Sequence, residues 1–298
     1  MQVKPIPRWV GVLLLLAIAV SFGSNHIAAR VAFEHGTSVT TAVTVRSIFT
    51  ALAVLVLIRA QGVALAVPAG TRGRAMLIGV VLAAQSFCLY SAVARIPVAL
   101  ALLAFNTFPM LLSLISWGAG GEAPTRRALI AMPLALIGLA LALDVTGLGG
   151  SIAGRWDEIG VGVGWALGAA VSMALMLHLT VVWLRDVDGR VRTLLTMSVA
   201  AAIILLAGAA TGEFALPTAP AGWLGLALLC LFYGTAFTTL FVVLPRIGAV
   251  NNAMVLNFEP IVVLGLAWVI LDQAVAPRQI VGAFIVVGAI IYANTGRR

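Results

Sequence analysis

The chain has 298 residues, of which 62% are hydrophobic and 9% charged, and its mean hydropathy is +1.13. A soluble domain carries roughly 25% charged residues, so this composition excludes a water-exposed surface over most of the chain. The formal net charge of +8 does not indicate nucleic-acid binding, because the arginines stand singly or in pairs between apolar runs. In lipid only helices and closed barrels satisfy their backbone polar groups, and long apolar runs without alternation exclude a barrel.

The apolar runs follow one another between clusters of glycine, proline and charge. Each is near the roughly 20 residues that cross the hydrocarbon core of a bilayer. The longest loop, Gly147 to Glu158, lies in the middle of the chain. The sequence therefore predicts an all-α membrane protein of ten transmembrane helices, at residues 9–32, 38–59, 75–94, 97–118, 126–145, 160–184, 192–210, 222–244, 249–271 and 277–295.

The basic residues predict the orientation of these spans. With the N-terminus placed in the cytoplasm, most of the 18 lysines and arginines fall on the cytoplasmic side. Cytoplasmic loops carry the excess of such residues. We therefore expect a multi-pass inner-membrane protein with both termini in the cytoplasm.

An internal repeat divides the chain into halves. A shift of 151 residues aligns Arg95 with Arg246, Asn106 with Asn257, Pro109 with Pro260, and Trp117 with Trp268. Five spans per half is an odd number, so the two copies, residues 1–147 and 148–298, cross the membrane in opposite directions. Inverted repeats recur in secondary transporters and enclose a site near the midplane. We therefore predict two inverted five-helix repeats and a central site between them.

Short motifs resemble those of a known family. The phrase Ser21-Phe22-Gly23-Ser24-Asn25, the arginine Arg46 in span two, and the acidic residues Glu122 and Asp272 after the Pro109 and Pro260 helices resemble the drug/metabolite transporter superfamily, EamA type. Phe22 stands where that phrase has tryptophan. Within the family the chain looks most like the YddG-type exporters of amino acids. The resemblance implies a central cavity bordered by spans one, three, four, six, eight and nine.

The prolines Pro109 and Pro260 are predicted helix kinks. A proline inside a helix removes one hydrogen bond and frees the carbonyl four residues back, and at membrane depth such a carbonyl needs a partner. Asn106 and Asn257 lie one turn earlier, beside the expected openings. Two interpretations stay open: these helices line the cavity, or the kinks only fit the bundle.

Glu259 is the most informative ionisable residue for locating a site, since it lies well inside span nine. A carboxylate at that depth should face an internal cavity, where it binds a substrate amine, exchanges protons, or pairs with an arginine. His26, beside Asn25, and His178 are candidate proton relays. Each histidine could equally be satisfied by a backbone carbonyl.

Polar and aromatic residues on the remaining cavity-bordering spans complete the candidate site. Their side chains could bind a zwitterion while apolar walls accept its side chain, or they could only bond between helices. Trp165 could be an aromatic wall or an interface anchor. Arg46 is assigned to structure, either snorkelling outward or paired with Glu34. The candidates in this group are Gln85, Tyr90, Trp165, Tyr233 and Thr238.

No catalytic set, nucleotide loop or metal-ligand spacing stands out, so no enzyme activity, cofactor or metal is predicted. The prediction is a monomeric secondary transporter in the bilayer that exports small neutral or hydrophobic amino acids, aromatic ones included, by alternating access. Proton coupling and facilitated diffusion both stay open. The alternatives are an exporter of drugs or amphipathic metabolites with the same fold and a membrane-embedded protein that transports nothing.

Overall fold

The structure, a computed structural model, describes residues 8–142, 156–247, 258–273 and 276–294. Across these residues the regular elements are helices, as the composition predicts. A 3-10 turn at Ala69–Thr71 precedes the third α-helix. The helices are α1 (Arg8–Glu34), α2 (Val39–Ala60), α3 (Arg72–Arg95), α4 (Val98–Phe105), α5 (Phe108–Gly118), α6 (Arg126–Ala142), α7 (Trp156–Trp183), α8 (Gly189–Thr211), α9 (Pro220–Ile247), α10 (Glu259–Leu271) and α11 (Pro277–Asn294).

Seven helical segments within the described residues are long and apolar enough to cross a membrane, which supports a multi-pass membrane protein. One of them, Val98–Gly118, combines α4 and α5. The apolar helices Glu259–Leu271 and Pro277–Tyr292 are shorter, and α6 has 17 residues. Length and composition alone therefore identify seven spans among the described residues, fewer than the ten predicted.

Side-chain caps define where α2 and α8 begin. Ser38 Oγ accepts a hydrogen bond from the Thr41 backbone N–H at 3.1 Å, and Asp188 Oδ1 accepts one from the Arg190 N–H at 2.9 Å. Both satisfy donors that a helix leaves unpaired at its N-terminus. The Arg190 side chain also donates to Asp188 and lowers the pKa of that carboxyl below its ordinary value. Its Nη1 group donates to Gln61, just past the end of α2, and so joins α2 to α8.

The helices pack in pairs that mirror one another. The most extensive contacts join α1 to α9, α3 to α7, α2 to α8, and α6 to α11. Further contacts join α1 to α10, α2 to α9, α3 to α8, and both α4 and α5 to α7. If predicted spans one to five are exchanged in order with spans six to ten, each pair of contacting helices becomes either another contacting pair or the same pair again.

Close backbone approaches at glycine hold two of these pairs together. A Cβ atom on Gly225 of α9 would lie 2.8 Å from the Ala28 carbonyl oxygen of α1. A Cβ on Gly138 of α6 would lie 2.8 Å from the Gly282 carbonyl oxygen of α11. Small residues at such crossings let membrane helices approach closely. Helix α4 is buried along its whole length and occupies the centre of the largest core cluster.

We expect Gly282→Val to destabilise the α6–α11 pair. The added Cβ would lie 2.6 Å from the Ala142 backbone nitrogen, and overpacking of this kind costs typically 1–3 kcal/mol. Thermal unfolding of the purified protein in detergent should show a midpoint several degrees lower. The matched control is Gly288→Val on the same helix, where no atom lies within 4 Å of the added Cβ. Equal midpoints for the two variants would contradict this packing.

Candidate functional site

The predicted kink at Pro109 is instead a break between two helices. Helix α4 ends at Phe105, α5 begins at Phe108, and Pro109 lies in the first turn of α5. Proline is tolerated there because its missing N–H has no helical partner to lose. Asn106 lies in the break, and its side-chain Nδ2 donates to the Leu102 carbonyl at 2.7 Å. The side-chain amide of Asn106 is therefore hydrogen-bonded to the backbone of the preceding helical turn.

Pro260 also lies in a first helical turn, that of α10, and not within the described part of a continuous helix. The helix begins at Glu259, directly before the proline. The predicted partner of Asn106, Asn257, lies outside the described residues. A helix N-terminus carries partial positive charge and unpaired N–H groups. The carboxylate of Glu259 is therefore placed where backbone electrostatics stabilise it.

Glu259 pairs with His26 across the bundle. His26 Nε2 lies 3.2 Å from Glu259 Oε1, which joins the middle of α1 to the start of α10. The exposed fractions of the two side chains are 7% and 25%. The structure thus brings together two of the predicted site residues. It also leaves the carboxylate as the more accessible member of the pair, able to meet a solute or a proton.

A hydrogen-bonded group lies behind this pair. The Tyr90 hydroxyl donates to Asn25 Oδ1 at 2.6 Å, and Asn25 Nδ2 donates to the Phe22 carbonyl at 3.0 Å. The Tyr90 ring lies 5.8 Å from the His26 ring, centroid to centroid. His26 Nδ1 is buried and has no hydrogen-bond partner within the described part of the chain. Asn25, the last residue of the family-like motif, and His26, which follows it, therefore face the same interior region.

Arg46 is the site residue that sequence reasoning misassigned. It neither snorkels outward nor pairs with Glu34: its exposed fraction is 2%, and Glu34 pairs with Arg30 at 2.7 Å. Arg46 Nη2 instead donates to Ser86 Oγ on α3 at 2.9 Å. A charged residue within an apolar run is a functional candidate by default, and that signal was present in the sequence.

Aromatic rings enclose the Arg46 guanidinium. Its carbon Cζ lies 3.9 Å from the Tyr233 ring centroid and 4.9 Å from the Tyr90 ring centroid, which is cation–π geometry with both rings. Tyr233 also packs against Phe237 at 4.7 Å and Phe22 at 5.9 Å, centroid to centroid. We call Phe22, Tyr233 and Phe237 the aromatic cluster. It borders the charged groups with apolar surface from α1 and α9.

Gln85 joins this site indirectly. It is buried, and its Oε1 accepts a hydrogen bond from Ser86 Oγ at 3.3 Å, so it lies one contact from Arg46. Thr238, on α9, donates to the Gly234 carbonyl of its own helix at 2.9 Å. Its hydroxyl is thus satisfied within its own helix, and not between helices as the structural interpretation expected.

Trp165 and His178 lie apart from the His26–Glu259 pair. The Trp165 ring contacts Phe87 at 5.9 Å and lies 5.8 Å from Arg95 Cζ. His178 Nδ1 forms a hydrogen bond with Ser116 Oγ at 3.2 Å, which joins α7 to α5. The two histidines predicted as relays therefore have different partners and are not joined by any described contact.

An apolar groove of about 310 Å³ lies elsewhere, between α2, α3 and α8. Side chains such as Val80, Phe87 and Ile203 line it, with Glu213 at its edge. It does not include the His26–Glu259 pair or Arg46, and its lining offers little to a charged solute. Among the described residues, no group of three or more His, Cys, Asp or Glu could hold a metal ion.

Comparisons with known proteins agree with the fold. The sequence profile of the EamA-like transporter family matches residues 9–143 and again residues 160–295. No curated relative matches the chain significantly. Among 22 solved chains that match, one described as "Crystal structure of protein" is 19% identical with a TM-score of 0.65, over 96% of this chain and 98% of that one. At this identity the likeness concerns the fold alone.

Proposed function

Because this chain belongs to the EamA-like transporter family, whose members are membrane transporters, we propose that it exports small neutral or hydrophobic amino acids, aromatic ones included. The proposed route crosses the inner membrane through a central site between the two halves. The carrier would be a monomer and would resemble the YddG-type exporters. The substrate class, the direction and the monomeric state are proposals about this chain.

The His26–Glu259 pair carries the proposal. A carboxylate inside an apolar bundle is costly unless it is paired or hydrated, and such residues mark solute and ion pathways. Glu259 contacts His26 Nε2 at 3.2 Å and lies in the first turn of α10. An α-ammonium group can replace His26 as its partner, and a proton can neutralise it. Either exchange would loosen the contact between α1 and α10.

The aromatic cluster suits the side chain of such a solute. Phe22, Tyr233 and Phe237 present apolar surface next to the charged groups. Ligand sites commonly combine apolar walls with a few polar groups that fix orientation. A hydrophobic or aromatic amino acid therefore matches both parts of the site.

Alternating access is supported by the symmetry of helix packing. The α1–α9 and α3–α7 contacts exchange with each other when the halves are exchanged, while α2–α8 and α6–α11 map onto themselves. Inverted halves can exchange conformations and so open one site to either side. We infer two inverted five-helix repeats, residues 1–147 and 148–298, in which the two self-mapping pairs form the pivot.

The basic residues support an orientation with both termini in the cytoplasm. The helix ends near Arg59, Arg72, Arg74, Arg190 and Arg192 would then face the cytoplasm. The end that holds the Arg30–Glu34 pair would face outward. Proton coupling through Glu259 is the favoured mode, and facilitated diffusion is the alternative.

The test is uptake of radiolabelled phenylalanine and leucine by liposomes containing the purified protein, with and without a pH gradient. We expect saturable uptake that the gradient accelerates. Acceleration would support proton coupling, and saturable uptake that ignores the gradient would support facilitated diffusion. Protein-free liposomes are the control. Absence of amino-acid uptake together with uptake of labelled organic cations would overturn the amino-acid assignment and favour a drug or amphipathic-metabolite exporter.

A further inference from the structure

Arg46 is a buried cation that has no carboxylate partner among the residues that the structure describes. Its side chain is 2% exposed, and a guanidinium keeps its proton in proteins. The carboxylates of Glu34 and Glu259 already have partners, Arg30 and His26. Arg46 Nη2 donates to the Ser86 hydroxyl, and the buried Nε group has no hydrogen-bond partner among the described residues.

Two tyrosine rings offset part of this charge. The guanidinium carbon Cζ lies 3.9 Å from the Tyr233 ring centroid and 4.9 Å from the Tyr90 ring centroid, and a cation over the face of an aromatic ring is attracted to it. Hydrogen bonds to a carboxylate are made along the edge of the guanidinium, and arginine often makes two in parallel. Among the described residues, Nε is the part of that edge left without a partner.

A short series of contacts joins Arg46 to Glu259. The guanidinium lies over the Tyr90 ring, that ring lies 5.8 Å from the His26 ring, centroid to centroid, and His26 Nε2 lies 3.2 Å from Glu259 Oε1. A cation and a carboxylate therefore belong to one connected group of side chains, next to the aromatic cluster. This arrangement is complementary to a zwitterion with an apolar side chain.

We propose that Arg46 binds the carboxylate of the transported solute through its Nε edge. The inference rests on the proposed transport function and narrows its substrate class: the solute must carry a carboxylate, and an amine that lacks one is rejected. The carboxylate supplies the counter-ion that the described residues do not. The ammonium group of an amino acid would then face Glu259 and its side chain the aromatic cluster.

The first experiment uses the unmodified protein in detergent and a competition assay. Labelled phenylalanine is bound, and unlabelled phenylalanine, 3-phenylpropionate and phenethylamine compete with it. We expect phenethylamine, which lacks the carboxylate, to need roughly 10- to 100-fold higher concentration than phenylalanine, as for loss of hydrogen bonds to a charged group. We expect 3-phenylpropionate, which keeps the carboxylate, to compete better than phenethylamine. Because this series uses only the unmodified protein, its result does not depend on whether a variant folds.

The second experiment compares Arg46→Lys and Arg46→Gln with the control Arg74→Gln. Arg74 also contacts an aromatic ring, that of Trp183 at 5.9 Å, but is exposed and lies near the start of α3. We expect Arg46→Gln to bind phenylalanine at least about tenfold more weakly, Arg46→Lys to fall between it and the wild type, and Arg74→Gln to bind normally.

The outcomes separate this inference from the proposed function. Phenethylamine competing as well as phenylalanine would overturn carboxylate recognition and leave amino-acid transport standing. Unchanged phenylalanine binding in a folded Arg46→Gln protein would do the same. No phenylalanine binding by the wild type would overturn both.

Discussion

We expect Glu259→Gln to reduce amino-acid transport at least about tenfold while the protein still folds and purifies normally. Glutamine keeps the volume of the side chain and can still bond to His26, but it loses the negative charge that an ammonium group or a proton would meet. Among the described residues, the 3.2 Å contact between His26 Nε2 and Glu259 Oε1 joins α1 to α10. The measurement is the initial rate of labelled phenylalanine uptake into liposomes.

The control for this variant is Glu122→Gln, which removes a carboxylate from the exposed connection between α5 and α6. Its transport should be unchanged. Any acceleration by a pH gradient should disappear in Glu259→Gln and persist in Glu122→Gln. Normal uptake with a normal response to pH in Glu259→Gln would remove this residue from the mechanism. Because His26 is the partner of Glu259, combining Glu259→Gln with His26→Gln should reduce the transport rate by less than the product of the two single reductions.

The second large effect is expected for Asn25→Ala, which removes the acceptor of the Tyr90 hydroxyl. Asn25 is fully buried and Tyr90 is 1% exposed, and their hydrogen bond is 2.6 Å long. Leaving a buried hydroxyl unpaired costs about 1–3 kcal/mol. The thermal unfolding midpoint in detergent should therefore fall by several degrees. Substrate binding should weaken as well, because the Tyr90 ring contacts both His26 and Arg46.

Ser21→Ala is the matched control on the same helix. Ser21 Oγ donates to the Ala17 carbonyl one turn earlier and makes no described bond to another helix. Its removal should leave the midpoint nearly unchanged. Adding Tyr90→Phe to Asn25→Ala should recover part of the lost stability, since the unpaired hydroxyl is then gone. An Asn25→Ala protein that unfolds at the wild-type temperature would contradict the proposed bond.

The helical class could be predicted from composition because few charges and long apolar runs leave few alternatives in lipid. The positions at which a helix breaks within a span could not be predicted so well from the sequence. The predicted span 97–118 contains two helices, separated near Asn106 and not kinked at Pro109. A proline disfavours the helical bond to the residue four back, but tertiary packing decides whether the helix bends or ends.

The partners within the site could not be predicted either. His26 and Glu259 lie near opposite ends of the chain, and each allowed several interpretations alone. Only the packing of α1 against α10 brings them within 3.2 Å. For Arg46, the sequence allowed a side chain that snorkels outward or one that pairs with Glu34. Its side chain instead extends inward to Ser86 of α3 and Tyr233 of α9.

Equilibrium counterflow tests the central claim of a carrier with one alternately accessible site. Liposomes containing the protein are preloaded with excess unlabelled phenylalanine, diluted, and given a trace of labelled phenylalanine outside. We predict transient accumulation of label above its external concentration, which Glu259→Gln should abolish. Label that merely equilibrates, whatever the preload, would indicate a pore, and label that does not enter would contradict amino-acid transport altogether.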